Sequence, residues 1–243
     1  MLRTPVRTTI FALGVATAFA ITGCGQGQQD KASLADVKAN TITQHIEQVA
    51  TPPEVLAKIK AMSLSTFKFK TPKIDTTAGV DIGSIVNLGK DVWTIVDQNQ
   101  PVLDVKYDYA TALPYGIKSA AQLEGFTDLQ HQSFRVHGTN GFGMNVYDLT
   151  YTLVHQYNGT YQGKGHYLAS VSVIPSNISA LWGYKVYLTV GNVAATNVGT
   201  ADAPIGAANM DLTFRVETIL KKSQTTTVYE FRGDTRNILS TQL

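Results

Sequence analysis

The chain has 243 residues, 44% of them hydrophobic and 16% charged, enough to bury the core of one or two domains. Its 20 basic and 18 acidic residues leave a formal charge of +2. Near-neutrality without clustered arginine or an RNA-binding signature excludes nucleic acid as an expected partner. A single cysteine excludes an internal disulfide framework, so stability must come from packing.

Residues 1–23 read as a secretory signal peptide, with Arg3 and Arg7 charging the leading segment and Thr8 to Ala20 apolar or small throughout. That run is too short to cross a bilayer as a helix. It ends in Ile21-Thr22-Gly23-Cys24, a tetrapeptide that resembles the lipobox of bacterial lipoproteins. The resemblance covers residues 1–24 alone. It implies that cleavage leaves Cys24 as the new amino terminus, carrying acyl chains that hold the protein on a membrane. Burial of those chains contributes about 0.8 kcal/mol per CH₂. An aspartate after the cysteine tends to retain enterobacterial lipoproteins at the inner membrane. Gly25 stands there instead, so the resemblance implies the outer membrane of a cell envelope, on a face it does not specify. Loss of residues 1–23 leaves 18 basic against 18 acidic residues, a neutral mature chain whose one thiol is taken up by lipid.

Residues 24–32 are polar and rich in glycine and glutamine, the composition of a flexible tether. A helical region is expected over 33–73. Leu34, Val37, Ile42, Ile46 and Val49 suggest a weakly amphipathic first helix. Thr51-Pro-Pro-Glu54 reads as a capping box with proline at the first helical position, opening a second helix near Pro52–Met62. Residues 24–73 hold seven lysines against four acidic residues. Beside a lipid anchor that surplus can lean on an anionic leaflet, or it is a solvated helical surface. A third helix is expected over 82–98, with Asp81 as cap and Ile82, Ile85, Val86, Gly89, Val92, Trp93 and Val96 on one face.

Beyond Pro101 the period changes from 3.6 to 2, and the region 74–236 reads as an antiparallel β domain followed by a tail at 237–243. Leu103, Val105, Tyr107 and Tyr109 alternate with charged residues. Asn140-Gly141 predicts a hairpin between strands near 133–138 and 142–157. On the second of these Tyr147, Leu149, Tyr151 and Leu153 share a face. A three-residue loop at Asn158-Gly159-Thr160 pairs Tyr151 with Tyr167 and Leu149 with Ala169, keeping both apolar faces on one side. A turn or short helix is expected at Ser176–Trp182, then a strand through Tyr184, Val186, Leu188 and Val190 and a loop over 195–206. Met210, Leu212, Phe214 and Val216 make the cleanest half-buried strand. A turn centred on Lys222-Ser223 sets Val216 opposite Tyr229 and Phe214 opposite Phe231. The predicted class is mainly β: an antiparallel sandwich or incompletely closed barrel, with an N-terminal helical region and one amphipathic helix packed on it.

Motifs for chemistry are missing. Gly159 to Gly165 has neither the glycine spacing nor the Ser or Thr of a phosphate loop, and neither a G-x-S-x-G elbow nor an H-E-x-x-H pair occurs. The expected register puts His155 and His166 on opposite faces, and His131 and His137 are six residues apart, so none of these pairs reads as a metal site. Asp104 and Asp108 share a face at a spacing of about 13 Å, too wide for paired carboxylates. Arg232-Gly233-Asp234 resembles the integrin-recognition tripeptide, but its glycine is explained by the end of a strand.

Tyr115, in the Pro114-Tyr-Gly116 turn, and Tyr187, on the face opposite Val186 and Leu188, are the candidate ligand-binding residues. No catalytic residue, metal or cofactor is assigned. The expected function is a non-enzymatic envelope module, binding or structural, held to a membrane by lipid on Cys24, with a small hydrophobic, sugar or protein ligand. Two alternatives are carried beside it. One is an acyl-chain carrier with a half-barrel and the helix 82–98 as lid, similar to the outer-membrane lipoprotein-localisation factors. The other is a hydrolase whose site is built from loops.

Overall fold

The computed structural model describes residues 34–64, 79–90, 92–96 and 109–243. Cys24, the tether, Asp104 and Asp108 lie outside the described residues, as does the expected strand through Leu103, Val105 and Tyr107.

Helix α1 (Leu34–Asn40) leads into strand β1 (Ile42–Val49), helix α2 (Pro53–Leu64), and strands β2 (Asp81–Val86) and β3 (Trp93–Val96). There follow β4 (Ala110–Tyr115), a 3₁₀ turn at Ala120–Gln122, β5 (Gln130–Asn140), β6 (Asn145–Tyr161) and β7 (Lys164–Ala180). The chain closes with β8 (Lys185–Asn197), β9 (Gly206–Glu217), β10 (Lys222–Arg232) and β11 (Leu239–Gln242). One six-stranded sheet runs β1-β5-β6-β7-β4-β2 and one five-stranded sheet runs β11-β10-β9-β8-β3. Every pairing of named strands is antiparallel. The fold is therefore the mainly β sandwich that the alternation predicts.

The two sheets pack face to face over aromatic side chains. Tyr147 of β6 meets Phe214 of β9 with ring centroids 5.2 Å apart, and Phe134 of β5 lies 5.8 Å from Tyr229 of β10. β9 alternates buried and half-buried from Ala208 to Glu217 as expected. β6 and β7, at 17 residues each, are longer than expected and are buried on both faces in their middle. The second buried face is supplied by α2, whose Val55 and Ile59 pack on Val154 and Ile174.

Several expectations are corrected. Residues 42–49 form a strand because β5 offers a continuous ladder from Ile42 opposite Asn140 to Val49 opposite Ser133. Pairing of that length overrides a weak helical period. The described part of the expected helix 82–98 forms two strands, β2 and β3. Its β-branched residues favour extended backbone, and Asn87 breaks the run by accepting from Gly89 N at 2.8 Å and Thr111 N at 2.9 Å. Gly89 passes so close to β4 that a Cβ there would sit 1.8 Å from Tyr109 O. β2 joins the first sheet and β3 the second, so the segment steps across one corner of the sandwich. Asn197 Nδ2 donates to Gly83 O at 3.0 Å at the same corner. The helix that packs on the sheet is α2.

Thr51 does not cap α2, which starts at Pro53. Its hydroxyl instead accepts from Ser133 Oγ at 2.8 Å and lies 3.0 Å from His131 Nδ1, pinning the helix entrance to β5. The β6–β7 turn is at Gln162-Gly163, both with positive φ (51° and 72°), so Tyr151 faces Pro175 rather than Tyr167. Asn158, with φ 68°, serves a register break between Gln156 and Gly159. Another left-handed residue, Ser170 (φ 59°), lets Leu168 and Val171 both face the main core despite their odd spacing. Residues 176–180 continue β7, and the turn falls at Trp182-Gly183. The β9–β10 turn falls at 218–221, so Val216 faces Ser223 and Phe214 faces Thr225. That slip is even, and the apolar faces stay where they were expected. The tail forms β11, paired to the edge of β10.

Candidate functional site

The outer face of the first sheet carries a polar field beside α2. Strand register sets His45, His137, Asp148 and Ser179 on one rung across β1, β5, β6 and β7. The neighbouring rung holds Glu47, Arg135 and Thr150. Alternation explains the arrangement: on β6, Tyr147 and Leu149 face the core, which turns Asp148 and Thr150 outward.

Arg135 organises the field. Its Nε donates to both carboxylate oxygens of Asp148 at 3.0 Å, Nη2 donates to Asp148 Oδ2, and Nη1 reaches Glu47 Oε1 at 3.1 Å. One guanidinium thus ties β1, β5 and β6 together. The Asp148 carboxylate, then Glu47, holds the Arg135 pKa above its usual range. His45 and His137 stack with centroids 4.9 Å apart and planes 19° from parallel. Burial first, then the charges of Arg135 and His45, keep the His137 pKa below the ordinary histidine value. A neutral His137 suits this stack, because two imidazolium rings at that distance repel.

A surface groove of about 620 Å³ opens over Arg135, Asp148 and Thr150. Val49 at the end of β1, Pro52 of the β1–α2 connection, and Ile178 and Ser179 of β7 also line it. Asn177, with φ 49°, stands at the same margin. The groove offers hydroxyl and amide groups and the paired charges of Arg135 and Asp148 beside apolar side chains, Val49, Pro52 and Ile178 among them.

The rung order decides what this chemistry can do. Asp148 sits between Ser179 and His137, so the serine and the imidazole are two strand spacings apart, roughly 10 Å. A nucleophile and its base need hydrogen-bond contact. Among the described residues no group of three His, Cys, Asp or Glu side chains converges to hold a metal ion. Ser179 and His137 are therefore not in hydrogen-bond contact on this rung.

The two sequence-predicted tyrosines lie apart from this groove and from each other. Tyr187 is on the outer face of the second sheet, opposite Arg215, whose guanidinium covers its ring at 4.1 Å. Its hydroxyl is 3.5 Å from Glu217 Oε2. Tyr115 is half-buried at the end of β4, opposite Asp81. The remaining histidines are dispersed. His166 Nδ1 lies 2.8 Å from Asn158 Oδ1, and His155 faces the core against Phe231. In Arg232-Gly233-Asp234 the arginine and aspartate pair with each other at 2.8 Å.

Glu47 and the histidine stack were not legible in the sequence because Glu47 and His45 lie on β1. The hairpin signal at Asn140-Gly141 did contain part of the site, since Arg135 and Asp148 both fall on polar faces of the strands it joins. No family model matches the chain, and neither a curated protein nor a solved structure matches it.

Proposed function

We propose that this protein is a bacterial envelope lipoprotein, held on a membrane by acyl chains at Cys24, that acts as a non-enzymatic binding module. The groove over Arg135 and Asp148 is its ligand-facing surface. The observation that carries this reading is the Arg135–Asp148 ion pair, whose charges cancel, lining a groove open to solvent beside Thr150 and Ser179. Such a surface favours an uncharged ligand rich in hydrogen-bonding groups, a sugar or a peptide segment.

A hydrogen-bonded bridge across the interior also supports a binding module over an acyl-chain carrier. A carrier needs an apolar cavity, whereas Tyr151 and Tyr229 bridge the space between the sheets with a 2.6 Å hydrogen bond. Native mass spectrometry of the mature protein, purified from membranes, tests the choice. A copurifying glycan or peptide that is lost in Thr150→Val and Arg135→Ala variants supports the module. A fatty acid or phospholipid released only on unfolding supports the carrier and overturns the module.

A further inference from the structure

We infer that the end of the sandwich bearing α1 and the β5–β6, β7–β8 and β9–β10 turns docks on the anionic lipid surface to which Cys24 is anchored. The inference rests on the lipid-anchor reading for its geometry and on the exposed side chains for its chemistry.

Strand direction brings four connections to one end. β1 starts opposite the end of β5, β7 ends opposite the start of β6, and Lys185 of β8 faces Glu217 of β9. Hydrogen bonds join the pieces: Gly141 N donates to Lys38 O at 2.8 Å, Leu181 N to Val146 O at 2.9 Å, and Tyr184 Oη to Ala39 O at 2.7 Å.

This end is apolar where its fold does not require it. The β7–β8 turn presents Leu181 and Trp182, and Trp182 is 93% exposed. Gly183, with φ 88°, supplies the left-handed residue that the turn needs, so the indole has no part in making it. The β9–β10 turn is closed by Thr218 N to Lys221 O at 2.7 Å and Lys221 N to Thr218 Oγ1 at 3.0 Å. Between them Ile219 is 84% exposed and Leu220 is exposed too, where turns ordinarily hold glycine, asparagine or aspartate. Phe142 and Met144 stand out from the β5–β6 turn, and Leu34 and Val37 from α1. Eight of the thirteen exposed large hydrophobic side chains among the described residues are at this end. The described connections at the opposite end, including Gln162-Gly163 and the loop 198–205, contribute Val198 alone.

Charge complements the apolar groups. Lys38, Lys185, Lys221 and Lys222 flank the turns, against Asp36 and Glu217, which Lys222 pairs at 3.2 Å. Exposed Trp and Phe ringed by lysines match the boundary between acyl chains and anionic headgroups.

The anchor reaches the same end. Nine residues separate Cys24 from Leu34, so the tether spans at most roughly 35 Å. β6 alone, at 17 residues, extends roughly 55 Å. The opposite end of the sandwich therefore lies beyond the reach of a tether that enters at α1.

The test uses the full lipidated protein reconstituted into vesicles of phosphatidylglycerol and phosphatidylcholine that contain a doxyl-labelled phospholipid. Trp182 emission is read as the difference between wild type and Trp182→Phe, since Trp93 is buried in the core. The expected result is blue-shifted emission quenched by the labelled lipid. Quenching should weaken in Ile219→Asp/Leu220→Asp and in vesicles without phosphatidylglycerol. Trp182 fully open to aqueous iodide on vesicles, with acylated Cys24 found by mass spectrometry, overturns the docking and leaves the anchor standing. Quenched Trp182 with an unmodified Cys24 does the reverse. Shielding from iodide without quenching by labelled lipid places a protein surface on the patch, a second copy included, and also overturns the docking.

Discussion

Tyr151 Oη and Tyr229 Oη lie 2.6 Å apart across the interior, joining β6 of one sheet to β10 of the other. Both phenols are buried, and burial pushes the Tyr229 pKa up to about 12, so the pair stays protonated and bonded in ordinary conditions. Tyr151→Phe leaves the Tyr229 hydroxyl buried without this partner, at an expected cost of about 1–3 kcal/mol. The double variant with Tyr229→Phe should cost less than the sum of the two single changes. Urea denaturation of the four proteins reads the difference, and strict additivity would contradict the coupling.

His155 is 1% exposed and neither ring nitrogen makes a hydrogen bond of good geometry. Burial, offset only weakly by the Thr235 main chain, pushes its pKa down from 6.5 to about 4. The folded state therefore binds this proton less readily than the unfolded chain. Its stabilising contribution is complete above about pH 6.5 and is lost as pH falls toward 4. The size is about 3 kcal/mol at about 1.4 kcal/mol per pKa unit. Thermal unfolding from pH 7.5 to 4.5, intervals chosen to span that window, should fall more steeply for wild type than for His155→Leu. Parallel slopes would sink the assignment.

Arg135→Ala should loosen β1 first, because the guanidinium is the bridge from Glu47 to Asp148. The side chains are partly exposed, so the global cost is small, about 1 kcal/mol. Amide exchange in residues 42–49 should accelerate more than in β9. Arg135→Lys should restore little of the protection, since an ammonium cannot reproduce the fork that Arg135 sets on Asp148.

Gly233 is held by contact: a Cβ there would lie 2.2 Å from His166 O. Its amide donates to Gly206 O and its carbonyl accepts from Asn158 N, both at 2.8 Å. Gly233→Ala should destabilise by about 1–3 kcal/mol, and Asp234→Ala, which breaks a half-exposed pair, by less. Equal midpoints in chemical denaturation would contradict this structural role for the tripeptide.

What was legible in the sequence followed from local pattern. β9 alternates cleanly because one face meets the core and the other meets solvent, and Asn140-Gly141 marks the β5–β6 hairpin by turn chemistry. Elements set by distant partners were not legible. Ile42, Ile46 and Val49 fit a helical period, and only the ladder with β5 makes them a strand. Asn158-Gly159 resembles a hairpin turn, yet Gln162 occupies the left-handed turn position without any compositional sign of it. The groove was hidden for the same reason, since Glu47 and His45 reach Arg135 and His137 only once β1 is a strand. The exposed Trp182, Ile219 and Leu220 could be recognised only after their turns were placed.

The most direct test of the account is the mass of the amino-terminal peptide from the mature protein, purified from membranes of a bacterium expressing the full chain. The expected peptide begins at Cys24 and carries acyl chains on it. A peptide that retains residues 1–23, or begins at Cys24 with an unmodified thiol, would contradict it.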